Sequence, residues 1–152
     1  LYSSAASDVY KRQILGGIKF DYEKGLLGHS DADVLTHSIM DAILGALGQS
    51  DIGKLFPDTD PKYKDIYSID LLDHVVELMD QKGYKIGNLD TVIICEMPKI
   101  SPRRDEIKNL LAEHLKTAPE NVSIKASTSE GLGFTGEGLG IEARAVVILE
   151  EK

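Results

Sequence analysis

A dense polar cluster near the start of the chain carries the side chains best suited to chemistry. The cluster reads HSDAD over residues 29–33, and His37 and Asp41 follow it. Asp33, His37 and Asp41 are spaced by four, so in a helix they share one face. A histidine flanked by carboxylates is a good metal ligand, because a carboxylate can orient the imidazole. The spacing also fits a solvated helix face, and a catalytic zinc site usually needs three protein ligands.

Two later segments carry polar groups that could bind hydroxyls and phosphates. The loop DIGKLFPDTD at residues 51–60 offers carboxylates, a hydroxyl and exposed backbone to a small polyol, or forms only a Pro/Asp turn. The segment KASTSE at residues 125–130 ends in three hydroxyls and the carboxylate of Glu130. Hydroxyls and backbone N–H groups can cradle phosphate there, and Glu130 can bind a hard divalent cation. The chain contains neither a Walker A motif nor a dinucleotide-binding glycine fingerprint.

Composition narrows the possible classes of protein. The 152 residues suit one domain, and the hydrophobic content of 42% is enough for a packed core. The net charge of −8 argues against a general nucleic-acid binder, and an acidic protein that handles phosphates depends on metal ions. The single cysteine, Cys95, excludes an intrachain disulfide framework and favours a reducing cytoplasm. Cys95 lies in an apolar run, which predicts a buried thiol, and His74 and His114 are predicted to lie on helix surfaces.

Hydrophobic periodicity predicts the elements that must position these groups. Helices are expected over residues 31–47, 68–82 and 101–117, with Ser30 or Asp31 capping the first. Strands are expected over residues 14–20, 89–97, 122–127 and 141–149, with Gly16 and Gly17 as a bulge or turn point in the first. Residues 22–28 are expected to form a loop. This mixed order predicts an α/β (α+β) fold with helices on one face of a sheet.

From residue 14 to residue 150 the chain resembles the 2-C-methyl-D-erythritol 2,4-cyclodiphosphate synthase family. The family belongs to the non-mevalonate pathway of isoprenoid (terpenoid) biosynthesis. The matching segments occur in the family's order and are ILGG (14–17), YEKGLLGHSDADV (22–34), DIGKLFPDTDP (51–61), KGYKIGNLD (82–90), MPK (97–99) and KASTSEGLGFTG (125–136).

The resemblance implies a four-stranded mixed sheet with helices on one face, in a cytoplasmic homotrimer whose active sites lie between subunits. It implies a metal-dependent phosphorus–oxygen lyase that acts on 4-diphosphocytidyl-2-C-methyl-D-erythritol 2-phosphate. The 2-phosphate attacks the β-phosphate within one molecule, which yields the cyclic diphosphate and CMP. Such a site works mainly by holding the reacting groups together and neutralising phosphate charge.

The same resemblance implies roles for individual residues. His29 and Thr128 are the expected catalytic pair that stabilises the transferring phosphoryl group. His37 is an expected ligand of Zn²⁺, and Glu130 is the expected ligand of Mg²⁺ or Mn²⁺. The expected substrate-binding residues are His29, Ser30, Asp51, Ile52, Gly53, Phe56, Pro57, Asp58, Thr59, Asp60, Cys95, Glu96, Met97, Pro98, Lys99, Ile100, Ser101, Ala126, Ser127, Thr128, Ser129 and Phe134.

The N-terminal segment departs from the family pattern. The family's first strand ends in an Asp-x-His motif that gives two of three zinc ligands and is followed by a longer hairpin. Here Asp8-Val9-Tyr10 stands in that place, and only three residues separate Tyr10 from Ile14. Tyrosine is a poor zinc ligand because its phenol loses its proton only near pH 10. Glu137 also replaces a family arginine near the centre of the trimer, so we do not extend isoprenoid diphosphate binding to this chain.

Residues 1–13 show neither strand nor helix periodicity, and DVYKRQ at residues 8–13 resembles a translated sequencing adapter. We therefore expect residues 1–13 to be a non-native segment and residues 14–152 to be the synthase domain. The chain is then expected to bind zinc weakly or not at all and to have little cyclase activity. Two alternatives remain open: a catalytically weak trimer that still binds cytidine nucleotides, and a metal hydrolase built on His29 and His37.

Overall fold

The computed structural model describes residues 1–9 and 11–152, and Tyr10 lies outside the described residues. The strands are β1 (Tyr2–Asp8), β2 (Gln13–Leu15), β3 (Ile18–Phe20), β4 (Gly25–Leu26), β5 (Tyr84–Ile94), β6 (Val122–Ser127) and β7 (Gly140–Glu151). The α-helices are α1 (Val34–Ala46), α2 (Ile52–Leu55), α3 (Ser68–Gln81), α4 (Arg104–His114) and α5 (Gly133–Gly136). Short 3₁₀ turns cover Pro61–Tyr63, Ser101–Arg103 and Pro119–Asn121.

Within the described residues, one mixed sheet has the strand order β4-β1-β7-β5-β6. Strands β5 and β6 are parallel, and the other neighbours are antiparallel. This gives five strands where the resemblance implies four. The additional strand is the two-residue β4, which pairs with the end of β1 through Ser7 opposite Leu26 and Asp8 opposite Gly25. Strand β4 lies inside residues 22–28, which we predicted to be a loop, and a segment this short carries no periodic signal.

Strand β1 forms in the segment that lacks strand periodicity. Its backbone pairs with β7, with Ser3 opposite Ala143 and Ala5 opposite Ile141. Backbone hydrogen bonds do not depend on side-chain type, so a strand with small residues can pair without an alternating pattern. The tertiary partner therefore determines this strand, and the local sequence does not.

The predicted strand 14–20 is divided into β2 and β3, which form a hairpin over residues 13–20 outside the five-stranded sheet. Gly16 and Gly17 form its turn with φ angles of 56° and 76°. A Cβ on Gly16 would lie 2.4 Å from a side-chain carbon of Ile107, and both φ values favour glycine. The turn therefore packs closely against the helical layer.

Helix α1 lies in the centre of the core. Its side chains Leu35, Ile39 and Ile43 are fully buried, at the helical spacing that predicted the element. The helix begins later than the predicted residue 31, because Asp33 is the N-cap and accepts a hydrogen bond from Thr36 N. The predicted caps Ser30 and Asp31 lie outside it.

The remaining boundaries differ modestly from prediction. The predicted helix 101–117 consists of a 3₁₀ turn followed by α4, which ends at His114. Strand β5 begins earlier than predicted because residues from Tyr84 onward pair with the end of β7, and it ends at Ile94. No helix in the described part of the chain is long and apolar enough to cross a bilayer.

The helices leave one face of the sheet uncovered. Along β7, Ile141, Ala143 and Ala145 are buried, whereas the side chains that alternate with them are turned away from the core. Val146 and Ile148 on this second face are 67% and 60% exposed. A chain with large exposed aliphatic residues in the middle of a sheet has an apolar surface suited to association.

Candidate active site

The first cavity encloses about 310 Å³ beside the start of α1. It brings together several predicted site residues from the HSDAD segment and the 51–60 loop. The lining residues are His29, Ser30, His37, Ile52, Gly53, Phe56, Asp58, Tyr63 and Leu71. His29 is half-buried, and its Nε2 lies 3.2 Å from the carbonyl oxygen of Asp60. The sequence prediction that these two segments form one site is consistent with this cavity.

Two serines hold the ring of His37. Its Nε2 lies 3.1 Å from Ser30 Oγ and 3.0 Å from Ser68 Oγ. The spacing of Asp33, His37 and Asp41 allowed these carboxylates to orient the ring or to lie on a solvated helix face, and the structure shows neither for Asp33. Asp33 is the helix N-cap and Asp41 accepts the backbone N–H of Ile52 at 2.9 Å, so both carboxylates have other partners.

Asp33 connects the β2–β3 hairpin to α1. Its carboxylate accepts hydrogen bonds from Gly16 N at 2.9 Å, Gly17 N at 2.7 Å and Thr36 N at 3.1 Å. The hydroxyl of Thr36 donates a fourth bond at 2.7 Å. Burial raises the pKa of the Asp33 carboxyl, and the nearby charge of Asp31 raises it further. Asp33 is therefore a structural carboxylate that fixes the beginning of the helix carrying His37.

Asp41 and Asp51 together shape the beginning of α2. Asp41 binds the first N–H of this helix, and partial burial raises the pKa of the Asp41 carboxyl. Asp51 caps the same helix through Lys54 N at 3.0 Å. Asp51 lines a different cavity of about 240 Å³, so the structure does not bring it into the first cavity. Both carboxylates instead hold Ile52 and Gly53 at the cavity wall.

Sequence reasoning did not identify Tyr63 and Leu71 as site residues. Tyr63 packs edge-on against Phe56, with ring centroids 5.4 Å apart. Leu71 is a member of the apolar stripe of α3 and is 4% exposed. An aromatic ring shortly after FPDTDP was the available signal for Tyr63, whereas Leu71 had the pattern of an ordinary core residue.

A second cavity of about 170 Å³ lies where the parallel strands β5 and β6 end. Ile94 is opposite Ser127 in the last register pair, and Cys95 N donates to Ser127 O at 3.1 Å. Ligands commonly bind at the carboxyl ends of parallel strands. The lining consists of predicted residues, namely Cys95, Glu96, Pro98, Lys99, Ile100, Ser101, Ala126, Ser127 and Thr128.

The segment after β6 is held by side-chain contacts on both sides. Ser129 N donates to Glu96 Oε1 at 3.0 Å, and Ser129 Oγ lies 2.5 Å from Thr135 Oγ1 on α5. Thr128 and Glu130 are exposed, with Thr128 Oγ1 3.4 Å from Glu130 Oε1. Glu130 adopts a φ of 52°, which is rare for a residue with a side chain. This conformation presents a carboxylate beside the second cavity.

Other predicted residues lie outside the linings of these two cavities. They are Asp51, Pro57, Thr59, Asp60, Met97, Ser129, Glu130 and Phe134. Asp60 nevertheless contacts His29 through its carbonyl, and Met97 and Phe134 are 45% and 43% exposed. Of the helix histidines, His74 is exposed and His114 binds Asp73 at 2.7 Å, as expected for surface positions.

Cys95 will react slowly with alkylating reagents. The thiol is buried, and burial raises its pKa to about 11 although Lys99 acts in the opposite direction. Because the thiolate is the nucleophile, alkylation by iodoacetamide at neutral pH should be at least roughly tenfold slower than in the urea-unfolded chain. Mass spectrometry over time measures the rate, and the chain's single cysteine makes the site unambiguous. Equal rates in folded and unfolded chain would contradict the burial of this thiol.

The two expected metals fit the described residues differently. Mg²⁺ binds through one or two carboxylates plus substrate phosphates, and the exposed Glu130 suits that arrangement. A catalytic zinc ion needs about three protein ligands. Over residues 1–9 and 11–152, no group of three His, Cys, Asp or Glu side chains is arranged to hold a metal, and His37 has serine hydroxyls as its neighbours. The described residues therefore do not fit a complete zinc site.

Comparison with known proteins identifies relatives over nearly the whole chain. The sequence model of the YgbB family matches residues 5–150. The 2-C-methyl-D-erythritol 2,4-cyclodiphosphate synthase of Caldicellulosiruptor bescii is 54% identical over 141 residues, covering 93% of this chain and 90% of that protein. The enzyme of the same name from Bacillus subtilis is 52% identical over 138 residues, covering 91% and 87%.

Solved structures agree with these sequence matches. IspF of Plasmodium falciparum in a CDP complex has a TM-score of 0.87 and 37% identity, with 99% of this chain and 93% of that chain covered. The bifunctional IspDF of Campylobacter jejuni has a TM-score of 0.95 and 33% identity, with 99% of this chain and 41% of that longer chain covered. On this evidence the chain belongs to the YgbB family, whose curated relatives carry the name 2-C-methyl-D-erythritol 2,4-cyclodiphosphate synthase.

Proposed function

We propose that this chain converts 4-diphosphocytidyl-2-C-methyl-D-erythritol 2-phosphate to 2-C-methyl-D-erythritol 2,4-cyclodiphosphate and CMP. An oxygen of the 2-phosphate forms a bond to the β-phosphorus, and the bond between that phosphorus and the bridging oxygen of CMP breaks. The observation that carries this proposal is the pair of cavities built from the two groups of predicted residues, in a chain that belongs to this family. The activity is that of a lyase of isoprenoid biosynthesis by the non-mevalonate pathway.

The residues of the first cavity suit the methylerythritol part and its 2-phosphate. Ser30 and the backbone around Gly53 supply hydrogen-bonding groups, and Phe56 supplies an apolar wall. Because Nε2 of the half-buried His29 donates to the carbonyl oxygen of Asp60, Nδ1 can donate to a phosphate oxygen when the ring is protonated. The main contribution of such a site is to hold the attacking oxygen close to the phosphorus, since intramolecular transfer needs little covalent chemistry from the protein.

The residues of the second cavity suit the cytidine diphosphate part. The backbone of Cys95–Ser101 and the hydroxyls of Ser127 and Thr128 surround the carboxyl ends of β5 and β6. Lys99 adds a positive charge in a chain of net charge −8. A relative solved as a CDP complex supports the assignment of a cytidine nucleotide to this family. Thr128 is the hydroxyl that stabilises the transferring phosphoryl group together with His29.

A homotrimer with active sites between subunits joins these two cavities into one site. The cavities share no lining residue within a subunit, although one substrate must occupy both. The uncovered sheet face, with Val146 and Ile148 exposed, provides an apolar surface for association. On it the charged Arg144 is paired with Glu142 at 2.6 Å, which lowers the cost of desolvating both. Sedimentation analysis tests the trimer.

Glu130 would hold Mg²⁺ or Mn²⁺ together with phosphate oxygens of the substrate. When bound, such an ion neutralises diphosphate charge and makes the β-phosphorus a better electrophile. For Zn²⁺, the family ligands that the chain retains are His37 and Asp8, which stands in the place of the motif's aspartate, and we expect weak zinc binding or none. The single cysteine supports a location in the reducing cytoplasm.

Product analysis tests the proposed reaction against the two alternatives. The full chain is incubated with the substrate, Mg²⁺ and Zn²⁺, and CMP and the cyclic diphosphate are measured. Release of inorganic phosphate without CMP would favour a metal hydrolase built on His29 and His37. Binding of CDP by calorimetry without CMP release would favour a catalytically weak nucleotide-binding trimer.

Replacing Glu130 with glutamine will weaken Mg²⁺-dependent CDP binding by roughly three- to tenfold. The glutamine keeps the size of the side chain but loses the charge that binds a hard cation. Calorimetric titration of CDP with and without Mg²⁺ measures the effect. Glu120→Gln is the matched control, because Glu120 is also exposed and lies in the 3₁₀ turn Pro119–Asn121. An unchanged Mg²⁺ dependence in Glu130→Gln would rule out this residue as the metal ligand.

A further inference from the structure

Ser68 lies between a carboxylate and the imidazole of His37. It is fully buried and begins α3. Its backbone N–H donates to Asp31 Oδ2 at 2.8 Å, and its hydroxyl donates to Asp31 Oδ1. The same hydroxyl oxygen lies 3.0 Å from Nε2 of His37. Asp31 thus fixes both polar groups of Ser68, and Ser68 in turn contacts the ring.

The hydrogens in this chain of contacts can be counted. A serine hydroxyl has one hydrogen to donate, and a carboxylate has none. Because the Ser68 hydrogen is directed to Asp31, Oγ can only accept a hydrogen bond from the imidazole. Nε2 of His37 must then bear a hydrogen, which leaves the lone pair of a neutral ring on Nδ1.

We infer that Asp31 and Ser68 form a positioning pair that holds His37 in the Nε2–H tautomer. In this tautomer the ring offers the Nδ1 lone pair to a cation or to a hydrogen-bond donor, and it cannot donate a hydrogen bond from Nδ1. A phosphate oxygen therefore gains no hydrogen bond from Nδ1 of a neutral His37. The carboxylate that acts on this histidine reaches it through a hydroxyl supplied by α3.

Ser30 does not determine the tautomer by itself. Its Oγ also lies 3.1 Å from Nε2, and it accepts a weak contact from Ala32 N at 3.4 Å. No carboxylate fixes the direction of this hydroxyl among the described hydrogen bonds, so Ser30 can either donate to Nε2 or accept from it. Of the two serines, Ser68 is the one whose hydroxyl hydrogen is donated to a carboxylate, that of Asp31. Ser68 therefore determines which nitrogen of His37 bears the hydrogen.

Imidazole NMR tests the inference directly. Long-range ¹H–¹⁵N spectra of the full chain, labelled with ¹⁵N-histidine and held in mildly alkaline solution, distinguish the two neutral tautomers. His37→Asn identifies the His37 signals among the four histidines. The expected result is the Nε2–H pattern for His37. A predominant Nδ1–H pattern in the unmodified chain would overturn the inference.

Variants of Ser68 test whether this serine determines the tautomer of His37. In Ser68→Ala the loss of one hydrogen bond should shift the tautomer ratio about three- to tenfold toward Nδ1–H. Ser68→Thr keeps a hydroxyl and should retain the original ratio. Ser38→Ala is the matched control, since Ser38 is an equally buried serine whose hydroxyl donates to Leu35 O, away from the ring. A ratio that is unchanged in Ser68→Ala would also overturn the inference.

The effect on turnover rests on the proposed function, whereas the tautomer does not. Ser68→Ala should lower kcat for CMP release about tenfold and change KM by less than about twofold. Ser68→Thr, which keeps the hydroxyl, should have a kcat close to that of the unmodified chain. If CMP release is absent from every variant, the proposed function fails and the NMR result still decides the tautomer. Equal kcat in Ser68→Ala and Ser38→Ala would contradict the positioning role.

Discussion

Replacing Asp33 with alanine will lower the free energy of unfolding by about 3–5 kcal/mol. The change removes the acceptor of four hydrogen bonds, three of them from backbone N–H groups. Asp33 is fully buried, so the donors of Gly16, Gly17 and Thr36 gain little from water. Buried donors without partners cost about 1–3 kcal/mol each, and loss of a helix N-cap costs about 1 kcal/mol, although relaxation makes the total less than the sum. Urea unfolding followed by circular dichroism measures the change.

Two variants separate the network from the loss of an ordinary cap. Asp33→Asn retains one acceptor oxygen and should lose about half as much stability as Asp33→Ala. Asp51→Ala removes the cap of the exposed helix α2 and should cost less than about 1 kcal/mol. If Asp33→Ala and Asp51→Ala destabilise the protein equally, the hairpin contacts of Asp33 contribute nothing.

The pH dependence of the Asp33 effect has a definite sign. Burial raises the pKa of this carboxyl in the folded state above its value in the unfolded chain. Between the two values the folded state binds more protons, so stability falls as pH rises through that window. The Asp33 carboxyl therefore stabilises the fold most at a pH below its pKa in the unfolded chain. This stabilisation is lost as the pH rises past its higher pKa in the folded state. The difference in the free energy of unfolding between the unmodified chain and Asp33→Ala should therefore decrease as the pH rises.

Elements that bury a regular apolar stripe were predictable from the sequence. Helix α3 follows residues 68–82 to within one residue, and β6 matches its predicted bounds of 122–127. The buried side chains of α3 recur with the helical period, and in the first half of β6 Val122 and Ile124 are buried on one face. The turn at Gly16–Gly17 was also predictable from the sequence, since paired glycines mark a chain reversal. In these cases local composition and tertiary packing favour the same structure.

The sequence could not predict contacts between distant elements. Ser68 is a site residue because its hydroxyl meets His37 across 31 positions of the chain. Spacing suggested Asp33 and Asp41 as partners of His37, but both carboxylates bind backbone N–H groups that are free at helix ends. Strand β1 likewise depends on β7 for its hydrogen bonds. Residue type identified the chemistry of the site, and tertiary contacts decided which groups meet.

The two cavities also show that the sequence predicts residue types better than it predicts which residues meet. The HSDAD and FPDTD segments and their neighbours contain most lining residues of the first cavity. Leu71, by contrast, has the pattern of a core residue, and Tyr63 lies beyond the FPDTDP loop. Nothing in the order of the motifs indicates that they fall into two cavities with no shared lining residue. That separation arises because α1 with the 51–60 loop and the ends of β5 and β6 form different parts of the fold.

Replacing Tyr10 with histidine will raise zinc affinity roughly a hundredfold. Asp8 and Tyr10 stand where the family has its Asp-x-His motif, and Tyr10 lies outside the described residues, so the expectation rests on the sequence. Asp8 ends β1, opposite Gly25. An imidazole supplies a third ligand beside Asp8 and His37, and each ligand of a structural zinc site is worth about 3 kcal/mol. Metal analysis after dialysis against a zinc buffer measures occupancy, and the rate of CMP release should rise with it.

Two controls isolate the role of the new imidazole. Tyr10→Phe removes the hydroxyl without adding a ligand and should leave zinc affinity within about twofold of the unmodified chain. Adding His37→Ala to Tyr10→His should cancel the gain in zinc affinity, since two ligands hold zinc poorly. If Tyr10→His binds no more zinc than Tyr10→Phe, the missing imidazole is not the limiting defect. The three residues between Tyr10 and Ile14, where the family has a longer hairpin, would then be the cause, because a hairpin that is too short cannot bring the motif to His37.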